Sequence, residues 1–260
     1  MDDVQSGIVT EAHGAAVRIL RIDRPEARNA FNRDVRRELS AALAAARDAH
    51  EVRTVVITGD DRSFAAGADI GEMKDATPAE IATRGIEEFW DDVRRFPKPL
   101  IAAVRGYALG AGFELVLACD IVVAGASATF GLPEVKLGIM PGGGGSQRFP
   151  RVAGKHVGLR YALTGDFFGA EEAQKFGVVT DLVADDEVLP TALAIAEKIA
   201  ALPPLAVMKI KEAIVKGLDA PLETGIALER QSYYFLNSTS DKAEGVAAFL
   251  EKRKPRFTGR

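Results

Sequence analysis

The chain has 260 residues, of which 47% are hydrophobic, and a formal net charge of -4. This length allows either one large domain or a core with a small appended domain, and either can bury a sizeable core. Because no basic run interrupts the weakly acidic sequence, we expect no nucleic-acid partner. Cys119 is the only cysteine, which excludes an internal disulfide and a thiolate metal site and predicts a cytoplasmic location.

Two helices are indicated in the first ninety residues. Apolar residues recur with helical spacing between Val35 and Ala46. Further along, Thr77 has the position of a helix N-cap, followed by Pro78 and by Glu80 three residues after the cap, which is the pattern of a capping box.

Three short apolar runs, "TVVITG", "LIAAVRG" and "DIVVAG", each end at a glycine. Runs of this kind are typical of strands that are buried on both faces and closed by tight turns. The most apolar region, residues 100–123, contains Arg105 and Glu114. Charged side chains are costly at the centre of a bilayer, so we expect buried core here and no membrane association.

The last quarter of the sequence is predicted to be helical. An apolar stripe with helical spacing comprises Val207, Ile210, Ile214 and Leu218. Asp241 and Glu244 open a final helix that continues through Leu250. The simplest division is an α/β core over residues 1–195 and a helical region over residues 196–260.

Glu114 lies in an unusual setting, the stretch "GYALGAGFEL". This stretch has only two of the three glycines of a dinucleotide fingerprint, and "PGGGGSQR" lacks the ending of a P-loop. A turn of small residues that enters a helix leaves backbone N–H groups unpaired, and these can hold a developing negative charge. Taken alone, Glu114 is better explained as a first-turn acid favoured by the helix dipole.

A second carboxyl group, Glu134, follows Pro133 in a predicted loop rich in glycine and apolar residues. Two carboxyl groups in apolar surroundings can work as a general acid/base pair, because desolvation raises a carboxyl pKa towards neutrality. The segment "SFAAGADIGEM" is another small-residue turn, predicted to lead into a helix. It serves either as a helix start capped by Asp69 or as a second N–H donor for the same anion.

Four motifs in this order resemble the crotonase superfamily, specifically its enoyl-CoA hydratases: "FAAGADI", "KPLIAAVRGYALGAGFEL", "FGLPEVKLGIMPGGGGSQR" and "LTGDFFGAEEAQKFGVV". The similarity runs nearly from end to end. It implies an α/β fold, a crotonase-like spiral of ββα turns with a C-terminal helical trimerisation region. It also implies a homo-trimer or a dimer of trimers.

The resemblance places the two catalytic glutamates at Glu114 and Glu134, and the oxyanion-hole N–H donors at Ala68 and Ala111. It further implies contacts to the acyl-CoA substrate at Arg28, Ala66, Asp69, Ile70, Gly110, Pro133, Phe249 and Lys252. Phe249 and Lys252 are expected to reach coenzyme A bound by a neighbouring subunit. Gly71 departs from the family pattern, since relatives often carry a lysine there.

The activity implied is reversible addition of water to the 2,3-double bond of a trans-2-enoyl-CoA, giving a 3-hydroxyacyl-CoA, in fatty-acid or phenylacetate-type degradation. No metal and no cofactor are expected, because coenzyme A is part of the substrate. Three alternatives remain: an enoyl-CoA isomerase or other crotonase-fold acyl-CoA enzyme, a non-catalytic acyl-CoA-binding protein, and an RNA-binding relative, which the acidic charge disfavours. Phe89 and Trp90 fit either an acyl pocket or the core.

Overall fold

The computed structural model describes residues 7–74 and 76–260. The strands of these residues are β1 (Ile8–His13), β2 (Val17–Ile22), β3 (Thr54–Thr58), β4 (Ser63–Ala65), β5 (Leu100–Val104), β6 (Tyr107–Leu109), β7 (Ile121–Gly125), β8 (Thr129–Gly131), β9 (Phe167–Gly169) and β10 (Asp181–Val183). The helices are α1 (Arg33–Asp48), α2 (Pro78–Ala82), α3 (Ile86–Arg94), α4 (Ala111–Ala118), α5 (Gly145–Ala153), α6 (Lys155–Thr164), α7 (Ala170–Lys175), α8 (Val188–Ala200), α9 (Pro204–Leu218), α10 (Leu222–Asn237) and α11 (Ser240–Leu250).

The strands form two sheets. One sheet has the order β1-β2-β3-β5-β7-β10 and the other the order β4-β6-β8-β9. The pairs β1–β2 and β8–β9 are antiparallel, and all other neighbours are parallel. Each consecutive strand pair, β3–β4, β5–β6 and β7–β8, adds one strand to each sheet before the chain enters a helix. This is the predicted spiral of ββα turns.

The three glycine-terminated apolar runs form β3, β5 and β7, as predicted. In β3, Val55 and Ile57 join the large core shared with α1 and the second sheet, whereas Val56 joins a smaller cluster on the opposite face. Helix α8 covers that face with Val188 and Ala192. Both faces of these strands are therefore buried, which explains why their sequences are continuously apolar.

The helices predicted from spacing and capping are also present. Residues 35–46 lie within α1, and Asn32 caps that helix by accepting a hydrogen bond from the N–H of Val35. At the start of α2, Thr77 and Glu80 form the predicted capping box.

The predicted division between residues 195 and 196 lies inside α8. Ala196 is buried against the six-stranded sheet together with Ala192, so packing on the sheet continues along this helix beyond residue 195. The helices that follow are built differently, because α9 contains no buried residue and packs chiefly against α10.

Within the described ranges, no single helix has both the length and the apolar composition needed to cross a membrane. One pair of helical segments passes this test only when joined, Asp185–Ala200 with Pro204–Leu218, and the chain bends by 111° between them.

Candidate active site

Two backbone turns meet where β4 and β6 end. These strands are parallel neighbours, so the residues that follow them lie side by side. A methyl group on Gly110 would lie 3.6 Å from the Cα atom of Gly67 and 3.2 Å from Oε1 of Glu134. Gly110 also has φ of 49° and ψ of -123°, a conformation open to glycine but strained for other residues. Glycine therefore occupies the position at which the two backbone turns and the carboxylate of Glu134 approach one another.

The N–H groups of Ala68 and Ala111 are not used by the fold. Within the described residues, neither group has a hydrogen-bond acceptor. Their neighbours differ, since the N–H of Ala66 donates to the carbonyl oxygen of Arg28 and that of Asp69 to the carbonyl oxygen of Phe31. Ala111 is the first residue of α4, where helical geometry leaves N–H groups free. The two free donors suit an anionic oxygen placed between the turns.

Glu114 lies in the first turn of α4 and is 2% exposed. Its Oε1 atom accepts hydrogen bonds from the backbone N–H groups of Gly143, at 2.7 Å, and Gly145, at 2.8 Å. Burial raises the pKa of Glu114 above its ordinary value, while these N–H groups and the nearby cation of Arg148 act in the opposite direction.

Glu134 lies in a five-residue 3₁₀ helix, Pro133–Leu137, and not in the predicted loop. Its Oε2 atom is buried and has no hydrogen-bond partner among the described residues. Burial raises the pKa of Glu134 to about 7, and the charge of Glu114 contributes in the same direction. The two glutamates are therefore electrostatically coupled, and Glu134 is poised to exchange a proton near neutral pH.

The other residues predicted around the first turn are placed at its rim. Arg28 is exposed and has a left-handed backbone conformation, with φ of 51°. Its carbonyl oxygen accepts a hydrogen bond from the N–H of Ala66. Ile70 is 49% exposed. The carboxylate of Asp69 binds Arg24 at 2.7 Å and the N–H of Gly71 at 3.0 Å, so it caps a three-residue 3₁₀ helix, Ile70–Glu72. The helix predicted after this turn is therefore a single 3₁₀ turn, which Asp69 caps as one of the two interpretations expected.

Phe249 and Lys252 are not brought to the two turns by packing of a single chain. Phe249 is 82% exposed near the end of α11, and Lys252 follows that helix with φ of 56°. Helix α11 packs chiefly against α10. The expected contact with coenzyme A on a neighbouring subunit stays a prediction.

The aromatic pair on α3 is divided between core and site. Phe89 is buried, with its ring centroid 6.0 Å from that of Phe31. Trp90 is half-buried, and its indole lies against Gly143, where an added methyl group would come within 2.2 Å of the ring. Trp90 thus covers the segment that binds Glu114.

Three residues that contribute to the site were missed by the sequence analysis. Gly143 and Gly145 hold Glu114, and Arg148 donates from Nη1 to the carbonyl oxygen of Gly143 at 2.7 Å. The signal was present in "PGGGGSQR", because consecutive glycines indicate that the backbone approaches another group closely. In the sequence this stretch served to test a phosphate-binding motif and to support the family resemblance, and no contact with Glu114 was predicted for it.

No group of three or more His, Cys, Asp or Glu side chains in the described ranges is placed to hold a metal ion. The expectation of chemistry without a metal or separate cofactor stays a prediction.

Comparisons with known proteins agree with this geometry. A sequence model of the family described as "Enoyl-CoA hydratase/isomerase" matches residues 12–260. The 2,3-dehydroadipyl-CoA hydratase of Escherichia coli (strain K12) is 46% identical over 244 residues, which cover 94% of this chain and 96% of that protein. A probable enoyl-CoA hydratase of Rhizobium meliloti (strain 1021) is 42% identical and covers 97% and 98% of the two chains.

Among solved structures, the enoyl-CoA hydratase from Bacillus anthracis superposes with a TM-score of 0.94 at 36% identity, covering 98% of this chain and 100% of that one. The relatives thus match the chain in sequence and in fold over almost its whole length. The chain belongs to the enoyl-CoA hydratase/isomerase family of the crotonase superfamily, and the prediction of an enoyl-CoA hydratase is confirmed.

Proposed function

We propose that the enzyme adds water reversibly to the 2,3-double bond of a trans-2-enoyl-CoA, using Glu114 and Glu134 as its acid/base pair. The backbone N–H groups of Ala68 and Ala111 form the oxyanion hole. One observation carries the proposal: a buried carboxyl group, Glu114, and a second one, Glu134, whose Oε2 is buried without a partner, lie beside two turns whose backbone donors have no acceptor within the described residues.

The two N–H groups act on the thioester. As the water oxygen bonds to C3, the electrons of the double bond move towards C2 and the thioester carbonyl, and negative charge collects on the thioester oxygen. Fixed donors at Ala68 and Ala111 stabilise that charge without reorganising, and removing one such donor typically costs roughly 10²–10³ in rate.

The two glutamates have different surroundings, and we assign a different proton transfer to each. Burial raises the pKa of Glu114, but the two N–H donors on Oε1 favour its ionised form, and we assign its carboxylate as the group that accepts a proton from water. Glu134, with its pKa raised to about 7, is partly protonated near neutral pH and gives its proton to C2. In dehydration, Glu134 removes the C2 proton and Glu114 protonates the departing hydroxyl group.

The name of one relative indicates which acyl chains to test as substrates. The Escherichia coli relative is named for 2,3-dehydroadipyl-CoA, a dicarboxylic acyl chain. A panel of short, long, branched and dicarboxylic enoyl-CoA thioesters, ranked by kcat/KM, therefore assigns this enzyme to fatty-acid or phenylacetate-type degradation. The cytoplasm as its location rests on the single cysteine.

We further propose a homo-trimer or a dimer of trimers. Helix α9 has no buried residue, and its Ile210, Ile214 and Leu218 are all more than half exposed. Exposed apolar surface of this extent marks an interaction site. In such an assembly, Phe249 and Lys252 would reach coenzyme A on a neighbouring subunit.

The experiment that tests the activity uses crotonyl-CoA. We expect loss of the conjugated enoyl-thioester ultraviolet band and a product heavier by one water. A 3-enoyl-CoA converted without a change in mass would instead establish an isomerase. An unchanged ultraviolet band together with tight binding of crotonyl-CoA would establish a non-catalytic binding protein, and either result would overturn the proposal.

A further inference from the structure

Arg148 holds the segment that carries the hydrogen-bond donors of Glu114. Its Nη1 donates to the carbonyl oxygen of Gly143 at 2.7 Å, and its backbone N–H donates to the carbonyl oxygen of Gly144 at 2.8 Å. The N–H of the same Gly143 binds Oε1 of Glu114 at 2.7 Å. Two consecutive hydrogen bonds through one glycine therefore connect the guanidinium to the carboxylate.

The guanidinium also fills the space beside the next glycine. Gly144 has φ of 106°, and a methyl group added there would lie 2.1 Å from Nη1 of Arg148. A methyl group on the preceding residue, Gly143, would meet the indole of Trp90. The backbone of residues 143 and 144 is thus packed against an aromatic ring and a cation, and this packing limits the orientations open to its N–H groups.

Arg148 carries a charge that lies among those of Glu114, Asp219 and Arg94. Its half-buried side chain forms no ion pair with any described residue. Glu114 lies near enough for the two charges to interact, and the cation lowers the pKa of that carboxyl while burial raises it. Burial lowers the pKa of Arg148 and the charge of Glu114 raises it, so the two ionised side chains stabilise each other.

We infer that Arg148 is a positioning residue, which orients the N–H groups of Gly143 and Gly145 onto Glu114 and favours the carboxylate that accepts the proton of water. The inference rests on the proposed base role of Glu114. It assigns Arg148 no contact with the substrate. Loss of the guanidinium therefore affects the chemical step more than substrate binding.

The test compares Arg148→Met with Arg148→Lys. For Arg148→Met we expect kcat for crotonyl-CoA hydration to fall by roughly 10–100-fold, as misplacement of a catalytic group does, with KM changed less than threefold. The acid limb of the kcat/KM profile moves to higher pH, because Glu114 becomes harder to ionise. Arg148→Lys keeps the charge and one donor and recovers part of both effects.

Arg151→Met is the matched control. Arg151 lies one turn further along α5, is more exposed, and donates to Gln147. We expect the Arg151→Met variant to keep the kinetics and the pH profile of the wild type. If Arg148→Met does not fold, the acid limb of Arg148→Lys and Arg148→Gln is measured instead, and the expectation is the same in direction.

A double variant separates positioning from a general structural role. With Glu114→Gln already in place, Arg148→Met costs less than twofold in kcat, because its effect passes through Glu114. An acid limb that does not move, or a full loss of kcat in the Glu114→Gln background, overturns the inference. A Glu114→Gln variant that hydrates crotonyl-CoA at the wild-type rate overturns the proposed function itself, so the two failures are distinguishable.

Discussion

Glu114 and Glu134 are both removed from water, but only Glu114 is compensated. Two backbone N–H groups bind one oxygen of Glu114, whereas Oε2 of Glu134 is buried without a partner among the described residues. A buried polar atom without a hydrogen bond costs free energy. Burial of Glu134 therefore lowers the stability of the folded protein, and this effect should appear in the pH dependence of the free energy of unfolding.

We expect Glu134→Gln to stabilise the fold above pH 7. The folded carboxyl ionises near pH 7, and the unfolded one near its ordinary value of 4.5. As pH rises through this interval, the unfolded state loses its proton first, so the wild type becomes less stable. The gain from Glu134→Gln, roughly 1–2 kcal/mol after allowance for solvent screening, is complete above pH 7 and vanishes below 4.5.

Urea unfolding at pH 4.5 and pH 8, at one protein concentration, measures this difference. Glu171→Gln is the control, since Glu171 is an exposed residue of α7, and it should show no such pH dependence. A Glu134→Gln variant that is equally destabilised at both pH values would contradict a raised pKa in the folded protein.

At the scale of elements, the glycine-rich segment before α5 brings backbone close to the carboxylate of Glu114. A methyl group on Gly143 would lie 2.2 Å from the ring of Trp90 and 2.8 Å from Oε2 of Glu114, whereas one on Gly142 would meet nothing within 4 Å. The two glycines are adjacent in sequence and differ completely in their surroundings.

We predict that Gly143→Ala lowers kcat/KM for crotonyl-CoA by about 10², the cost expected when a catalytic group moves by about 1 Å. Gly142→Ala is the matched control and should keep near wild-type kinetics. Both variants are measured under the conditions of the wild type, with circular dichroism to confirm the fold. Equal kinetics of the two variants would show that the segment tolerates side chains and does not position Glu114.

The elements were predictable where they are long or strongly patterned. The buried strands β3, β5 and β7 follow from their apolar runs, and α1 from its periodicity. The three-residue strands β4, β6 and β8 were not identified, since alternation cannot be recognised over so few residues. Their parallel pairing is set by the spiral and not by local sequence, and it is this pairing that brings the two turns together.

The site was predictable in its residue types but not in its contacts. Glu114 and Glu134 were identified from carboxyl groups in apolar sequence and from the resemblance. Their immediate surroundings include residues distant in sequence: Gly110 lies beside Glu134, Gly143 binds Glu114, and Arg148 binds Gly143. A single sequence carries no signal for such long-range contacts beyond the glycine run itself.

At the scale of the whole molecule, the C-terminal helices present an apolar surface that the single chain does not cover. Tyr233 and Tyr234 on α10 are each more than 60% exposed, as are Leu218 and Leu222. Burial of such residues drives association, and the proposed trimer would cover this surface.

We expect sedimentation to show a trimer or a larger assembly at micromolar concentration. The double substitution Ile214→Asp and Leu218→Asp introduces charges into the exposed face of α9 and should shift the protein towards monomer. Lys175→Glu on α7 changes charge without altering that face and serves as the control. A wild-type protein that sediments as a monomer would remove both the assembly and the proposed coenzyme contacts of Phe249 and Lys252.

The most direct test of the account is a double-mutant cycle on the two glutamates with crotonyl-CoA. Glu114→Gln and Glu134→Gln keep shape but remove proton transfer, which is worth roughly 10²–10⁴ in rate for each group. Since the two act on one water and one α-carbon, the double variant should lose much less than the product of the single losses. Binding of a saturated acyl-CoA should change little in all three variants. Near wild-type hydration by either single variant, or multiplicative losses in the double variant, would contradict the proposed pair.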